Sequence, residues 1–154
     1  MWMRYLYSPA VDNYTNGNAV ICDIDGTIAR HVERSPYDYT KVSTDALIKP
    51  VASLLHSLHA TNHTVIFVSG RKDSCKDDTR QWLRDNLGLL GDSPLYMRRA
   101  NDDRPDTVIK KEIYQDLIEG QYNVLFVLDD RDSVTHMWRT EIGLPTLQVE
   151  YGHF

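Results

Sequence analysis

Three short, continuous apolar runs stand out in the pattern of hydrophobic and polar positions along the chain. They are 19-AVIC-22, 64-TVIFV-68 and 124-VLFVL-128, and a polar residue follows each of them. An unbroken apolar run of this length is typical of a strand that is buried on both faces of a sheet. Shorter strands are predicted near 94–97 and 146–150.

Helical patterns separate these strands. The first helix has apolar residues at 51, 54, 55 and 58, and Ser43 or Thr44 is its expected N-cap. Further helices are predicted over 73–87, 106–119 and 133–142, each followed by a glycine. Strands that alternate with helices imply right-handed crossovers, so we predict an α/β fold with a doubly wound, parallel, Rossmann-like sheet.

Length and composition are those of one globular domain over residues 1–154, in which 42% of the residues are hydrophobic and 25% are charged. Residues 1–18 fit this pattern least well, and we predict an N-terminal extension or an extra strand there. The net charge of -5 argues against a broad basic face that wraps nucleic acid, although it allows a locally basic cleft. The chain has no signal-peptide pattern, so we expect a cytoplasmic protein without a membrane segment.

Polar groups stand at the end of each predicted central strand: Asp23, Ser69 and the pair Asp129 and Asp130. Ligands of such sheets bind beyond the carboxyl ends of the strands, so these groups are expected to converge on one site. Several carboxylates at one point would repel each other without a cation, and Mg²⁺ prefers such oxygen ligands. The alternative for each motif alone is structural, because aspartate and glycine are common in turns and acidic residues favour helix starts.

Two aspartates, Asp23 and Asp25, are separated by one residue, and in extended backbone their side chains leave on the same side. Gly26 permits a sharp turn after them, and Thr27 adds a hydroxyl group. The motif DIDGT at 23–27, the strand-end serine, a lysine and the strand-end DD pair, in this order, resemble the haloacid dehalogenase-like phosphatases.

A narrower resemblance is to the phosphatase half of phage polynucleotide kinase-phosphatases. It rests on RSPYDY (34–39), VSGR (68–71), LYMRRANDDRPDTVIKKEIY (95–114), LDDRDSVTHMWR (128–139) and QVEYGHF (148–154). The sequence contains no GxxxxGK[ST] phosphate loop, so we expect a phosphatase without a kinase domain. The resemblance implies a haloacid dehalogenase-type fold with a small flap and no large cap domain.

The resemblance also implies roles for individual residues. Asp23 is the expected nucleophile that forms an aspartyl-phosphate, and Asp25 is the expected general acid and base, whose backbone carbonyl is also a metal ligand. Ser69 and Lys110 are expected to contact the transferred phosphoryl group. The implied cofactor is Mg²⁺, held by Asp23, Asp25, Asp129 and Asp130.

Candidate substrate-binding residues lie next to these motifs; they are Thr27, Arg34, Gly70, Arg71, Arg98 and Asp106. Guanidinium groups pair with phosphate through two hydrogen bonds, which favours the three arginines. The pattern does not decide between Arg98 and Arg99. Asp106 is four residues before Lys110 on a predicted helix, so it is expected to orient either that lysine or a substrate-binding arginine.

The polar segment 27–43 lies where this superfamily places its flap, and it contains Tyr37 and Tyr39. These tyrosines are predicted either to stack on a base of the substrate or to pack the flap onto the domain. A short flap leaves the site open, which suits the end of a polymer better than a small metabolite.

We therefore predict a Mg²⁺-dependent phosphatase that removes 3′-phosphate from polynucleotide ends in DNA or RNA repair, in the host cytoplasm if a phage encodes it. One alternative is the same chemistry on a mononucleotide or a sugar phosphate. A more remote alternative is a phosphoacceptor signalling domain, which also combines acidic residues, a hydroxyl and a lysine. In such domains, however, the acidic pair follows the first strand, whereas here it follows the third apolar run.

Overall fold

A parallel five-stranded sheet forms the centre of the computed structural model, which describes residues 14–152. In chain order, the strands are β1 (Asn18–Cys22), β2 (Ala29–Arg30), β3 (Ala46–Leu47), β4 (Thr64–Lys72), β5 (Leu95–Arg98), β6 (Asn123–Arg131) and β7 (Thr146–Gly152). The large sheet has the order β5-β4-β1-β6-β7, and all its pairings are parallel. Because β1 is central and the chain winds outwards in both directions, the predicted doubly wound α/β fold is confirmed.

Four α-helices connect the strands: α1 (Lys49–Ala60), α2 (Lys76–Leu87), α3 (Asp106–Ile113) and α4 (Asp132–Met137). α3 and α4 continue into π-helical turns at Tyr114–Ile118 and Trp138–Ile142. Shorter 3-10 helices lie at Tyr39–Thr44, Asp73–Cys75 and Gly88–Asp92. Within residues 14–152, no helix has the length and apolar character that crossing a membrane requires.

The strands at the centre of the sheet, β1 and β4, bury both of their faces, whereas Leu125 of β6 and Leu147 of the edge strand β7 are exposed. Alternate residues of β1 point to opposite sides. Val20 and Cys22 therefore pack in one core with residues of α1 and α2, and Ala19 and Ile21 pack in a second core with α4 and the two π-helical turns. This three-layer arrangement explains why the strand sequences are continuous apolar runs.

The start of the first helix differs from the prediction. α1 begins at Lys49, and neither Ser43 nor Thr44 caps it; the N-cap position belongs to Ile48, which makes no side-chain capping bond. The reason is that residues 43 and 44 lie in a 3-10 helix, and β3 must pair with β2 before α1 begins. α2 also begins later than predicted, at Lys76, because a 3-10 turn precedes it.

The segment between β1 and α1 is short and covers the carboxyl edge of the sheet. We call residues 27–47 the flap; it contains the antiparallel pair β2–β3 and one 3-10 helix. The predicted small flap without a large cap domain is therefore confirmed. The predicted N-terminal extension lies outside the described residues as far as position 13, and β1 begins at Asn18 after a turn in which Gly17 has a φ of 73°.

Candidate active site

Two neighbouring strands bring three carboxylates together at the carboxyl edge of the sheet. β1 pairs with β6 so that Cys22 lies opposite Leu128, which places Asp23 beside Asp129. Oxygens of Asp23, Asp129 and Asp130 lie within 4.8 Å of one another. All three residues are buried. The carboxylates that the sequence predicted to converge at these two strand ends therefore lie together in the structure.

Lys110 joins two of these carboxylates. It lies on α3, and its Nζ is 2.9 Å from Asp23 Oδ1 and 2.8 Å from Asp129 Oδ2. The residue is only 2% exposed, so its ammonium group is held by these partners rather than by solvent. Burial would lower the pKa of Lys110, but the charges of Asp129 and Asp23 outweigh burial and raise it. Lys110 therefore remains a cation at neutral pH.

One ammonium group does not neutralise three carboxylates. Burial raises the pKa of Asp23 well above its ordinary range, and repulsion from Asp129 and Asp130 adds to this against the attraction of Lys110. Burial followed by the charge of Asp129 also raises the pKa of Asp130. The excess of negative charge and the close carboxylate oxygens fit a hard divalent cation such as Mg²⁺.

The turn after Asp25 packs directly against this cluster. Gly26 has a φ of 80°, and a Cβ atom at this position would lie 2.2 Å from Oδ2 of Asp130. Thr27 donates a hydrogen bond from Oγ1 to Asp130 Oδ1 at 3.3 Å. The two residues thus hold Asp130 in place, and the predicted contact of Thr27 with substrate stays a prediction.

Asp25 contacts a different group of side chains, two arginines and a histidine. Arg71 donates from Nε at 3.0 Å and from Nη2 at 2.6 Å, and Arg34 donates from Nη2 at 3.1 Å. His31 Nε2 lies 2.8 Å from Asp25 Oδ1. Burial would raise the pKa of Asp25, but the hydrogen bonds of His31 and Arg71 outweigh burial and hold the pKa well below its ordinary range.

Asp45 is a second carboxylate that contacts these arginines, and it was not predicted from the sequence. Arg34 donates to both carboxylate oxygens of Asp45 at 2.7 Å, and Arg71 Nη2 donates to Oδ2 at 2.6 Å. The indole Nε1 of Trp82 donates to the backbone carbonyl of Asp45 at 2.8 Å. Asp45 and Asp25 thus share the same two arginines. No motif marked this residue, because it is a single aspartate in a polar segment.

A second buried arginine lies on the other side of the site. Arg98 donates from Nε to the carbonyl of Gly70 at 2.9 Å and from Nη2 to the carboxylate of Asp106. Arg131 Nη1 lies 2.6 Å from the other oxygen of Asp106. Of the two partners that the helical spacing left open for Asp106, the structure places arginines in contact with it, and its predicted positioning role stays a prediction. Arg131 was not predicted, although its position directly after the acidic pair could have indicated it.

The backbone approaches Asp106 closely at Gly70, where a Cβ would lie 2.7 Å from Asp106 Oδ1. Next to it, the buried Oγ of Ser69 accepts a hydrogen bond from the backbone N–H of Arg71 at 3.1 Å. Of the two adjacent arginines at 98 and 99, only the first is buried in the site. The substrate contacts predicted for these residues stay predictions.

A cavity of about 700 Å³ opens above the carboxylates. Its lining includes Asp23 and Asp130, then Tyr37 and Tyr39 of the flap, and outside the flap Lys72, Arg98, Arg104, Asp106 and Arg131. The cavity thus has acidic, aromatic and basic parts.

The sequence and the fold match known proteins over most of the chain. Residues 17–154 match the family model described as the polynucleotide kinase PNKP phosphatase domain. A protein of Autographa californica nuclear polyhedrosis virus, named as a bifunctional polynucleotide kinase/RNA ligase, is 32% identical over 143 residues, which are 92% of this chain and 20% of the relative. The chain therefore spans about a fifth of that relative.

Solved structures with the same fold also match the chain. A chain of the Pnkp1/Rnl/Hen1 RNA repair complex superposes with a TM-score of 0.85 at 41% identity, over 89% of this chain and 43% of that chain. The class C acid phosphatase of Bacillus anthracis shares the fold alone, with a TM-score of 0.63 at 11% identity over 89% of this chain and 67% of that chain. The sequence match and the shared fold lead to one conclusion: the chain belongs to the family of haloacid dehalogenase-like phosphatase domains found in polynucleotide kinases.

Proposed function

We propose that the protein is a Mg²⁺-dependent phosphatase that removes 3′-phosphate groups from polynucleotide ends through an aspartyl-phosphate. The observation that carries this proposal is the buried Asp23, which lies at the base of an open cavity, 2.9 Å from Lys110 and beside Asp129 and Asp130. A carboxylate so placed has a cationic neighbour where a phosphoryl group would be transferred.

In the first step, a carboxylate oxygen of Asp23 attacks phosphorus, and the bond between phosphorus and the 3′-oxygen of the sugar breaks. Asp25 donates a proton to that departing oxygen, so the product is a free 3′-hydroxyl group. In the second step, Asp25 accepts a proton from water, and the resulting hydroxide attacks phosphorus and releases inorganic phosphate from Asp23. The first step thus leaves Asp25 deprotonated, as the second step requires, and the second step returns its proton.

The low pKa of Asp25 fits the second step directly, since a base must be deprotonated. For the first step Asp25 has to carry a proton. A phosphate dianion in the cavity brings negative charge close to Asp25 and competes for the N–H groups of Arg34 and Arg71, and both effects raise its pKa. We therefore expect Asp25 to take up its proton when substrate binds.

Asp23, Asp129, Asp130 and the backbone carbonyl of Asp25 would hold the Mg²⁺ ion. When bound, such an ion neutralises negative charge on the phosphoryl oxygens. Lys110 is expected to stabilise the same charge from the other side, and Ser69 to donate its hydroxyl hydrogen to a phosphoryl oxygen.

A polynucleotide end as the substrate is supported by the family and by the RNA repair complex of the matching structure. It is also supported by the small flap, which leaves the cavity open to an extended strand. We infer a role in nucleic-acid repair on the same grounds.

Phosphate release from a 3′-phosphorylated oligonucleotide and from 3′- and 5′-mononucleotides, each with and without Mg²⁺, tests this proposal. We expect the highest kcat/KM with the oligonucleotide and no turnover after chelation. Faster turnover of the mononucleotides would contradict the polynucleotide specificity, and turnover in a chelator would contradict the metal requirement.

A further inference from the structure

The two tyrosines of the flap differ sharply in their surroundings. Tyr39 is half-buried, and Tyr37 is 79% exposed although both line the cavity. Burial raises the pKa of the Tyr39 hydroxyl, with a further contribution from the charge of Asp25. Of the two roles that the sequence left open, packing therefore belongs to Tyr39. The packing role does not apply to Tyr37, whose ring is mostly in solvent.

An exposed ring is useful for binding only when its position is fixed beforehand. The turn that carries Tyr37 is closed by a hydrogen bond from the N–H of Asp38 to the carbonyl of Ser35 at 3.0 Å. Inside the turn, the N–H of Tyr37 donates to Ser35 Oγ at 3.4 Å. The backbone on both sides of the ring is thus restrained by local hydrogen bonds.

Arg34 provides the main support of this turn. Its Nη1 donates towards the carbonyls of Ser35, Pro36 and Asp38 at 3.3, 3.4 and 3.5 Å. The rest of the guanidinium is fixed by Asp45 and reaches Asp25. The backbone of the turn that carries Tyr37 is therefore connected through a single side chain to the proposed general acid, which fixes where this backbone lies relative to the reacting centre.

The neighbours of Tyr37 in the cavity suit a flat aromatic ligand. Pro36 and Tyr39 line the same side, and the only pair of stacked or edge-packed rings within residues 14–152 is that of Tyr114 and Trp138. The face of Tyr37 is thus not covered by another aromatic ring of the described chain. A nucleobase stacks on such a face whatever its sequence, because every base has a π-face.

The cationic groups that line the cavity outside the flap are less suited to recognising the base. Arg98 and Arg131 both pair with Asp106, and Lys72 Nζ lies 2.8 Å from Asp103 Oδ1. These cations are engaged by acidic partners. Base recognition therefore depends on the flap.

We propose that Tyr37 is the platform on which the terminal nucleobase of the substrate stacks, which makes the protein selective for ends that carry a base without selecting which base. This inference rests on the proposed function and adds a specificity residue to it. Because the backbone of the turn is braced in advance, stacking does not have to order that backbone as well.

The test compares two 3′-phosphorylated oligonucleotides that differ only in the last nucleoside, which either carries a base or is abasic. We expect the unsubstituted protein to prefer the end with a base, and Tyr37→Ala to raise KM for that end by about five- to hundredfold. The effect of Tyr37→Ala on kcat, and on KM for the abasic end, should be much smaller than its effect on KM for the end with a base, and Tyr37→Phe should behave like the unsubstituted protein. Tyr151→Ala is the matched control, because Tyr151 is 77% exposed on β7 and lies outside the cavity lining.

Binding gives a second measurement that does not depend on turnover. An oligonucleotide with 2-aminopurine as its last base should lose fluorescence on binding to Asp23→Asn, and the loss should be smaller when Tyr37→Ala is added. Equal kcat/KM for both ends, or an equal effect of Tyr37→Ala on both, would overturn the stacking inference alone. If neither oligonucleotide is a substrate, both the proposed function and this inference fail.

Discussion

Asp45 and Arg71 form a fully buried ion pair, with 2.6 Å between Oδ2 and Nη2. The pair connects the flap to β4, and Arg71 also holds Asp25. We expect Asp45→Asn to lower activity about ten- to hundredfold, because the arginines lose their fixed orientation. It should also lower the free energy of unfolding by about 3 kcal/mol, the cost of breaking a buried pair. Phosphatase kinetics and urea unfolding measure the two effects.

The control for Asp45→Asn is Asp92→Asn. Asp92 pairs with Arg84 at 2.7 Å, but both side chains are about half exposed. Its loss should cost less than about 1 kcal/mol and leave activity unchanged. A fully active Asp45→Asn protein would contradict the positioning role of Asp45.

The proposed two roles of Asp25 predict a trapped intermediate. With p-nitrophenyl phosphate, whose leaving group needs no proton, Asp25→Asn should still form the aspartyl-phosphate on Asp23 but hydrolyse it slowly. Rapid mixing should therefore show a burst of nitrophenol equal to the enzyme concentration, followed by slow turnover. Asp23→Asn should show no burst. A burst in Asp23→Asn would refute the assignment of the nucleophile.

Removal of the buried ammonium group makes stability depend on pH. Lys110→Met leaves Asp23 and Asp129 without their shared cation, and at neutral pH we expect a loss of about 3 kcal/mol. Burial already raises the pKa of Asp23, and the loss of Lys110 raises it further. A carboxyl whose pKa is higher in the folded than in the unfolded state favours folding more as pH falls. Part of the loss should therefore be recovered as the pH falls from neutral towards the ordinary pKa of an aspartate.

Urea unfolding of Lys110→Met and of the unsubstituted protein at several pH values measures this difference. Lys111→Met is the control, since Lys111 pairs at 2.8 Å with Glu141 at the surface. A stability deficit of Lys110→Met that does not change with pH would contradict the explanation.

Alanine substitutions at two glycines with similar φ angles distinguish the cost of backbone strain from the effect of a clash with Asp130. Gly26 and Gly143 have φ values of 80° and 85°, so alanine at either site costs about 1 kcal/mol. Only at Gly26 would the new Cβ meet Asp130, whereas nothing lies within 4 Å at Gly143. We expect Gly26→Ala to abolish activity and weaken Mg²⁺ binding by calorimetry, and Gly143→Ala to lose stability alone. Equal activities of the two variants would contradict the placement of Asp130 by Gly26.

The sequence predicted those parts of the fold that depend on regular periodicity. The apolar runs of β1 and β4 are buried on both faces as predicted, and the residues after β1, β4 and β6 had to meet at one edge. Because the ends of parallel strands meet at one edge, the proximity of Asp23 and Asp129 could be predicted from the sequence alone. The start of α1 could not be predicted in this way, because Ser43 and Thr44 have the chemistry of a helix cap but lie in the flap.

Residues that act through other side chains left no signal in the sequence. Asp45 belongs to none of the motifs and reaches the site only because the flap folds over β4. The difference in solvent exposure between Tyr37 and Tyr39 also depends on the path of a short irregular turn, since the two residues are of the same type. Tertiary contacts of this kind have no periodic pattern from which they could be predicted.

The position of Arg34 between the turn 35–38 and Asp25 limits how the protein can be redesigned. The three carbonyls that Arg34 braces belong to the backbone, so exchange of the side chain at position 37 leaves them in place. A library that varies position 37 alone could therefore change which ends are bound while it preserves the chemistry. An insertion in the same turn would alter binding and proton transfer together.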